Sequence, residues 1–127
     1  MTYGLTHLAV AVSDISRTLN FYQLVFDMEV MYLTEDMLQL TTPGCNDIMV
    51  FERRDLDLLG QTGGIAHFGF RLRRPDDIDT ILERLRKINA IVVEQGEFVP
   101  GSPYVFFKDP DGYVIEVWYE FIPPSSN

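Results

Sequence analysis

Apolar residues alternate with small or polar residues over several short stretches of the chain, which is the pattern of β-strands with one buried face. In the first stretch Leu8 and Val10 share one face, and His7 lies on the other. The last stretch, residues 113–118, places Glu116 between apolar neighbours on one face. A carboxylate there is either exposed on an open sheet or held by a positive partner, because burying it unpaired is costly.

Two other segments repeat their apolar residues at helical spacing. Ser13 and Asp14 supply capping side chains for the first predicted helix, and Pro75-Asp76-Asp77 opens the second. Stripes at i, i+3 and i+4 spacing predict that both helices pack on a sheet. The stripe residues are Ile15, Leu19, Tyr22 and Phe26 in the first helix, and Ile78, Ile81, Leu82, Leu85 and Ile88 in the second.

The order of elements occurs twice. Residues 64–72 (GIAHFGFRL) repeat residues 4–12 (GLTHLAVAV), with glycine on glycine and histidine on histidine. Each copy precedes a helix and three more strands. We therefore predict an α+β fold, a single domain of two tandem βαβββ modules at about residues 1–55 and 64–122, with a short linker and a flexible tail at 123–127.

Shorter apolar runs predict the individual strands. Pro110 and Gly112 stand at the second and fourth positions of a turn, which predicts a hairpin closed by residues 109–112. Residues 95–102 carry Gly and Pro and are predicted to form a loop. The predicted strands are residues 5–12, 29–33, 37–41, 48–52, 64–72 and 90–94, and the two arms of the hairpin within 103–120.

Composition and charge narrow the class of protein. The chain is 46% hydrophobic and 23% charged, as in ordinary globular proteins, and has no apolar run of membrane-spanning length. It opens without a signal-peptide pattern and contains a single cysteine, Cys45, so we expect a cytoplasmic protein. A net charge of −9 works against nucleic acid or anionic membrane partners. The expected partner is a small molecule.

The module alignment brings out a possible metal site. It matches His7 with His67, the only two histidines of the chain, and only the second module adds a carboxylate, Glu116, on its last strand. Two histidines and one carboxylate, with open positions for water or substrate, suit a catalytic divalent metal. Either histidine alone also fits a satisfied strand residue, but the matched positions and the small residues Ala9 and Gly69 beside them favour a ligand site.

At these residues the chain resembles the vicinal oxygen chelate superfamily, which groups glyoxalase I, extradiol dioxygenases, fosfomycin resistance proteins and bleomycin resistance proteins. The matching motifs span nearly the whole chain. They are specific for the superfamily and weak for any one reaction. They are residues 5–10 (LTHLAV), 21–22 (FY), 66–70 (AHFGF) and 107–116 (FKDPDGYVIE).

The resemblance implies a paired fold whose sheets curl into a cavity with one divalent metal ion per site, which is Fe, Mn, Zn or Ni. His7, His67 and Glu116 take the ligand positions, and the metal binds two vicinal oxygens of a small substrate. The resemblance also implies a homodimer in which module one of one subunit faces module two of the other. Each site then draws ligands from both subunits.

The chain departs from individual branches of that superfamily. Glyoxalase I has a fourth ligand, commonly Glu, where this chain has Val50, and Glu52 is either a displaced ligand or the start of an exposed charge run. Extradiol dioxygenases have a Tyr in place of Phe106 and a further active-site His. Fosfomycin thiol transferases have a Thr in place of Ala9, and bleomycin-binding members lack the metal ligands.

These features lead us to expect a metal-dependent enzyme, glyoxalase-like or dioxygenase-like, that stabilises an oxyanion. With both histidines on the metal, proton transfer needs a carboxylate, so Glu116 and Glu52 are the candidate catalytic residues for lyase or isomerase chemistry. Arg71 is either a substrate-binding residue or an outward salt-bridging one. The alternatives are extradiol ring cleavage and a non-catalytic drug-binding resistance protein, and bound metal would distinguish the latter.

Overall fold

The order β-α-β-β-β occurs twice along the chain, which confirms the predicted α+β fold of tandem modules. The computed structural model describes residues 1–2, 4–55, 57, 59–60 and 63–120. The predicted flexible tail at 123–127 and part of the predicted linker lie outside those residues. By their contacts the residues form two compact units, Met1–Gln61 with Pro110–Gly112, and Thr62–Asp109 with Tyr113–Asn127.

The first unit contains one four-stranded sheet in the order β1-β4-β3-β2. The first and last strands of the module, β1 and β4, are parallel neighbours, and the other pairs are antiparallel. The elements are β1 (His7–Val12), α1 (Ile15–Phe26), β2 (Glu29–Leu33), β3 (Met37–Thr41) and β4 (Ile48–Arg53).

The second unit repeats this topology, with its sheet in the order β5-β8-β7-β6 and β5 parallel to β8. Neither helix of the described residues is long and apolar enough to cross a membrane. The elements are β5 (Phe68–Arg71), α2 (Asp77–Lys87), β6 (Ile91–Glu97), β7 (Pro103–Lys108) and β8 (Val114–Trp118).

Helix α1 begins where the sequence predicts. The Asp14 side chain accepts a hydrogen bond from the Arg17 backbone N–H at 3.0 Å, which satisfies one donor of the first turn. The helix ends at Asp27, whose left-handed backbone (φ 57°) lets its N–H reach the Gln23 carbonyl. Its buried stripe packs on β3 and β4, and the stripe consists of Ile15, Thr18, Phe21, Tyr22 and Val25.

Helix α2 covers one face of the second sheet. Ile81 and Leu85 are its buried side chains, and the helix packs on β7. Burying an aliphatic side chain of this size contributes about 1.5–3 kcal/mol. The sheet face beneath the helix is formed by Val105, Phe107, Ile115 and Val117, none of which is exposed.

Two predicted boundaries were wrong. Strand β5 begins at Phe68 rather than near residue 64, because Gly63 and Gly64 have positive φ angles of 53° and 101° and cannot extend the ladder. Strand β6 continues to Glu97 through the predicted loop, because its last residues pair with the start of β7 as far as Pro103. Tertiary pairing overrides the weak strand propensity of a Gly-containing segment there.

The predicted turn at residues 109–112 joins β7 to β8. The Tyr113 backbone N–H donates to the Asp109 carboxylate at 3.0 Å, and Gly112 takes a positive φ of 98°. These features confirm the turn chemistry expected from the sequence.

Three residues of this turn, Pro110–Gly112, belong to the first unit. One carboxylate oxygen of Asp111 accepts hydrogen bonds from the Ser13 N–H at 3.1 Å, the Ser13 hydroxyl at 2.7 Å and Arg17 Nη2 at 3.1 Å. The Asp111 side chain is only 3% exposed. Gly60 passes so close that a Cβ there would lie 2.1 Å from the Asp111 carbonyl oxygen. The turn is therefore anchored at the beginning of α1.

Replacing Asp111 with alanine is expected to lower the free energy of unfolding by about 2–3 kcal/mol, because Ser13 and Arg17 lose the buried, charged acceptor of three hydrogen bonds. The ion pair between Arg17 and Asp111 contributes little to this change in free energy, since Arg17 is half-exposed. Urea denaturation measures the change. Asp111→Asn retains a carbonyl acceptor and should lose about half as much. An alanine variant within about 0.5 kcal/mol of the wild type would show that the anchor does not stabilise the fold.

Candidate metal centre

The pairing of β5 with β8 brings the predicted ligands of the second unit together. The register sets Glu116 opposite Gly69, and His67 directly precedes β5. His67 Nε2 lies 3.4 Å from Glu116 Oε1. The Glu116 side chain is 15% exposed, so it is largely buried beside the imidazole and not displayed on an open sheet.

A glycine at position 69 makes room for this carboxylate. A Cβ there would lie 3.1 Å from the Glu116 carbonyl oxygen and 3.6 Å from Oε1. The Phe106 ring packs edge-on against the His67 ring, with centroids 5.1 Å apart and an interplanar angle of 86°. Position 69 thus leaves space at the carboxylate, while Phe106 restricts the orientation of the imidazole.

The separation of the two donor atoms fits a metal ion. Ligand nitrogen and oxygen atoms lie about 2.0–2.2 Å from ions such as Zn²⁺, so two ligands at tetrahedral or octahedral angles are roughly 3.0–3.5 Å apart. The observed 3.4 Å falls within that interval. An imidazole nitrogen and a carboxylate oxygen are also donors that Mn, Fe, Zn and Ni accept.

His7 occupies the corresponding place in the first unit. It is the first residue of β1, and its Nδ1 lies 2.9 Å from the Thr6 hydroxyl oxygen. With its proton on Nδ1, His7 donates to Thr6 and leaves Nε2 for a metal, an arrangement common among metal-binding histidines. The register pairs Ala9 with Val50 as it pairs Gly69 with Glu116, which confirms the predicted match of Val50 to Glu116.

Two of the three predicted ligands therefore meet within one unit. Among the residues the structure describes, no three His, Cys, Asp or Glu side chains come close enough together to hold a metal ion. His67 and Glu116 form a half-site, which needs at least one more protein ligand to match the predicted set.

Glu52 lies two residues further along β4 than Val50, which occupies the position that corresponds to Glu116. It pairs with Ala11, as Trp118 pairs with Arg71, so it corresponds to Trp118 in the second unit and not to Glu116. Its carboxylate forms an ion pair with Arg54 at 2.5 Å. Both observations favour the charge-run interpretation of Glu52 over that of a displaced ligand.

Arg71 lies on the predicted face. It is the last residue of β5, shares the face of Gly69 by strand alternation, and is exposed. No hydrogen bond or ion pair joins its side chain to another described residue. Its guanidinium is therefore available on the face that carries Glu116.

Sequence reasoning missed a row of aromatic side chains on this same face. Tyr104 and Phe106 of β7 pair with Trp118 and Glu116 of β8, and Phe98 stacks on Tyr104. We call Phe98, Tyr104, Phe106 and Trp118 the aromatic row. In the predicted hairpin, residues 104 and 106 of one arm share a face with residues 116 and 118 of the other arm. This pattern in the sequence predicts the aromatic row.

One member of the aromatic row, Tyr104, has a raised pKa. Burial raises the pKa of the Tyr104 hydroxyl, and the nearby Glu94 carboxylate, which accepts its hydrogen bond, raises it further. Tyr104 therefore stays protonated at neutral pH and acts as a hydrogen-bond donor rather than as a base.

Comparison with known protein families shows to which family this chain belongs. The sequence model of the Glyoxalase/Bleomycin resistance protein/Dioxygenase superfamily matches residues 4–117. The chain belongs to this superfamily. This confirms the resemblance seen in the sequence motifs, but the superfamily contains more than one chemistry, so membership alone does not assign a reaction.

Individual relatives within the superfamily are distant. The chain is 24% identical over 123 residues to a manganese-dependent 2,3-dihydroxybiphenyl 1,2-dioxygenase of Geobacillus genomosp. 3. That match covers 94% of this chain and 38% of the dioxygenase, so the chain spans well under half of that relative.

Solved structures of the superfamily share the fold. The fosfomycin resistance protein FosX of Listeria monocytogenes superposes with a TM-score of 0.80 at 22% identity, covering 96% of this chain and 97% of that one. A glyoxylase/bleomycin resistance protein/dioxygenase domain of a Frankia species gives a TM-score of 0.80 at 22% identity, covering 95% and 100%. A mutant of the Listeria FosX, with a TM-score of 0.76 at 21% identity, covering 92% and 90%, contains Mn(II) and 1S,2S-dihydroxypropylphosphonic acid.

Replacing Glu116 with glutamine is expected to weaken Mn²⁺ binding at least about tenfold, because it removes the charged donor of the half-site. Titration calorimetry with Mn²⁺ measures the affinity. Glu94→Gln is the matched control, since Glu94 lies on the neighbouring strand pair opposite Phe106 and not beside His67. Equal losses in the two variants would mean that overall negative charge, rather than a ligand at Glu116, determines the affinity.

Proposed function

We propose that this member of the superfamily is a divalent-metal-dependent enzyme that binds two vicinal oxygens of a small substrate and stabilises an oxyanion. The observation that supports it most directly is the 3.4 Å approach of His67 Nε2 to Glu116 Oε1 on a half-buried sheet face. A protein that only sequesters a drug needs no such pair of donors.

Manganese is the metal to test first. The dioxygenase relative is manganese-dependent by name, and a FosX structure of the same fold contains Mn(II). Imidazole and carboxylate donors accept Mn²⁺, Fe²⁺ and Zn²⁺ alike, so the donor set does not select among them.

A bound divalent ion would supply Lewis-acid polarisation of the substrate oxygens. The residues of the chain hold and shape the place where this occurs. His67 and Glu116 provide donors, and the edge-on Phe106 ring keeps the imidazole from rotating. Gly69 leaves open the space beside the carboxylate.

We further propose that the third ligand, His7, comes from a second copy of the chain. The edge strand β2 exposes Val30, Met31, Tyr32 and Leu33, and the edge strand β6 exposes Ile91, Val92 and Val93. Exposed apolar side chains concentrated on edge strands mark a candidate protein–protein interface. A homodimer would cover it and would bring the His7 face of one copy to the His67 half-site of the other.

The favoured chemistry is proton transfer on an α-hydroxycarbonyl compound or on a glyoxalase-like thiohemiacetal. A base takes the proton from the carbon that bears the hydroxyl group and returns it to the former carbonyl carbon, while the hydroxyl proton moves to the former carbonyl oxygen. Glu52 is the carboxylate that shares the face of Val50, and it lies about 7 Å further along the strand, since each residue advances about 3.3 Å. We propose that it acts from there as a base on the substrate and not as a metal ligand.

Extradiol ring cleavage is the second candidate, because the relative that aligns with 94% of this chain is a dioxygenase of that type. Two features weigh against it. The position that carries a tyrosine in the extradiol pattern is Phe106, and the chain has only two histidines, both used as proposed ligands. Neither remains to act as acid or base.

Subunit mixing tests the shared site. We expect His7→Ala and His67→Ala homodimers to lose Mn²⁺ binding, and a purified heterodimer of the two to regain one site, because one of its two interfaces keeps both wild-type histidines. Calorimetric stoichiometry and light-scattering mass give the readout. A monomeric wild type at micromolar concentration, or a heterodimer that stays metal-free, would refute the shared arrangement.

Glu52→Gln separates catalysis from metal binding. If Glu52 is the base, the variant should bind Mn²⁺ as the wild type does but lose about a hundredfold or more in kcat on an α-hydroxycarbonyl substrate. Arg54→Gln, which removes the ion-pair partner of Glu52, is the control and should retain most of kcat. Stoichiometric oxygen consumption with a catechol by anaerobically Fe(II)-loaded protein would instead favour the extradiol candidate.

A further inference from the structure

The open face of the second sheet has an unexpected composition. On its other face the β7 and β8 side chains Val105, Phe107, Ile115 and Val117 are fully buried, and α2 packs on β7. An antiparallel sheet with one face in the core usually presents polar side chains on the other. Here the central strands β7 and β8 instead present Tyr104, Phe106 and Trp118, all partly exposed. Surface of this kind marks a binding site more often than a solvated face.

The rings of the aromatic row touch one another in sequence. Phe106 and Tyr104 are edge-to-face with centroids 5.7 Å apart. Tyr104 and Phe98 are stacked at 4.0 Å with an interplanar angle of 11°, and Phe98 meets Trp118 edge-on at 6.4 Å. Phe98 remains 52% exposed although it takes part in this stack. The row therefore offers aromatic edges and faces to a further ring.

The backbone beneath the row is shaped to hold it. A Cβ at Gly96 would lie 3.2 Å from the Tyr104 hydroxyl oxygen, so the glycine lets the phenol lie across β6. The hydroxyl is engaged by Glu94, which restricts rotation of the ring. Tyr104 is thus held in place by the backbone at Gly96, by Glu94 at its hydroxyl and by Phe98 stacked on its ring.

One member of the aromatic row, Phe106, lies next to both candidate metal ligands of the second unit. Phe106 contacts the His67 ring at 5.1 Å and pairs with Glu116 in the register of β7 and β8. A molecule whose two vicinal oxygens bind a metal ion at His67 and Glu116 can therefore place its carbon skeleton beside Phe106 and Tyr104. Charged groups of both signs flank the row, because Glu94 of β6 lies opposite Phe106 and Arg71 of β5 lies opposite Trp118.

We propose that the substrate of this site carries an aromatic ring next to the carbon atoms that bear its two vicinal oxygens, and that the aromatic row binds this ring. The inference deepens the proposed function and rests on it for the position of the oxygens. The aromatic row itself supplies ring stacking and apolar burial, which add affinity and orientation without contacting the reacting atoms.

Three α-hydroxy acids that share one chelating group test the proposal: mandelate, hexahydromandelate and lactate. Against Mn²⁺-loaded wild type we expect mandelate to bind at least about tenfold more tightly than lactate, with the saturated ring in between, because only mandelate can stack. Titration calorimetry measures the affinities. Trp118 is the only tryptophan of the chain, so mandelate, but not lactate, should also quench its fluorescence.

Variants of the row should abolish this preference selectively. Phe98→Ala and Tyr104→Leu are expected to bring mandelate to within about threefold of lactate while lactate affinity stays unchanged, because the lost contacts are with the ring alone. Val99→Ala is the matched control, since Val99 is exposed in the same loop and its neighbour Phe98 makes the ring contacts. Phe98 is half-exposed, so its removal leaves the core intact.

The outcomes separate this inference from the proposed function. Equal affinities of mandelate and lactate would overturn the inference and leave the chelating site standing. Dissociation of a dimer by Phe98→Ala, with an unchanged ligand preference, would also overturn it, because the row would then be a subunit interface. Mandelate that quenches Trp118 equally with and without Mn²⁺, while lactate fails to bind the loaded protein, would support the aromatic row and refute the chelating function. No binding of any of the three acids would refute both.

Discussion

The parallel pairing of β5 with β8 is the constraint on which the candidate site depends. Strand side chains alternate between faces, so a slip of one residue would turn Glu116 into the core beneath α2 and expose its neighbours. Ile115 and Val117 on the core side are completely buried and prevent that slip. The packing that stabilises the second unit is therefore the same packing that sets a carboxylate beside His67.

The first unit shows the same constraint without the carboxylate. Its register between β1 and β4 places Val50 where the second unit has Glu116. Val50 is buried, and His7 lies on that face beside Ala9 and Ala11, the small residues of its own strand. One unit thus carries a histidine and the other a histidine with a carboxylate. This asymmetry is what a site assembled from unlike halves requires, and it is the physical basis for proposing that two copies share each metal.

Much of this was predictable from the sequence because local patterns and tertiary packing agree. The strand alternation around Val10, the Asp14 cap of α1 and the turn at residues 109–112 all appear as predicted. The repeat also gave the correct equivalence of Val50 and Glu116, since a shared register follows from a shared topology.

The remainder depends on contacts that no local pattern encodes. The extension of β6 to Glu97 follows from its partner strand, and the start of β5 follows from two glycines with positive φ. The near-burial of Glu116 depends on the imidazole of a residue 49 positions earlier. The aromatic row was missed because it combines β7, β8 and a loop residue, Phe98, whose stacking on Tyr104 exists only in the folded sheet.

We propose that one metal ion is bound by both histidines of the chain and by Glu116. Electron spin echo envelope modulation of the Mn²⁺-loaded wild type counts the imidazole nitrogens bound directly to the metal. Because the chain has only two histidines, the account predicts two coordinated imidazoles per Mn²⁺, which requires both His7 and His67 at one ion. A signal from one imidazole, or from none, would contradict it.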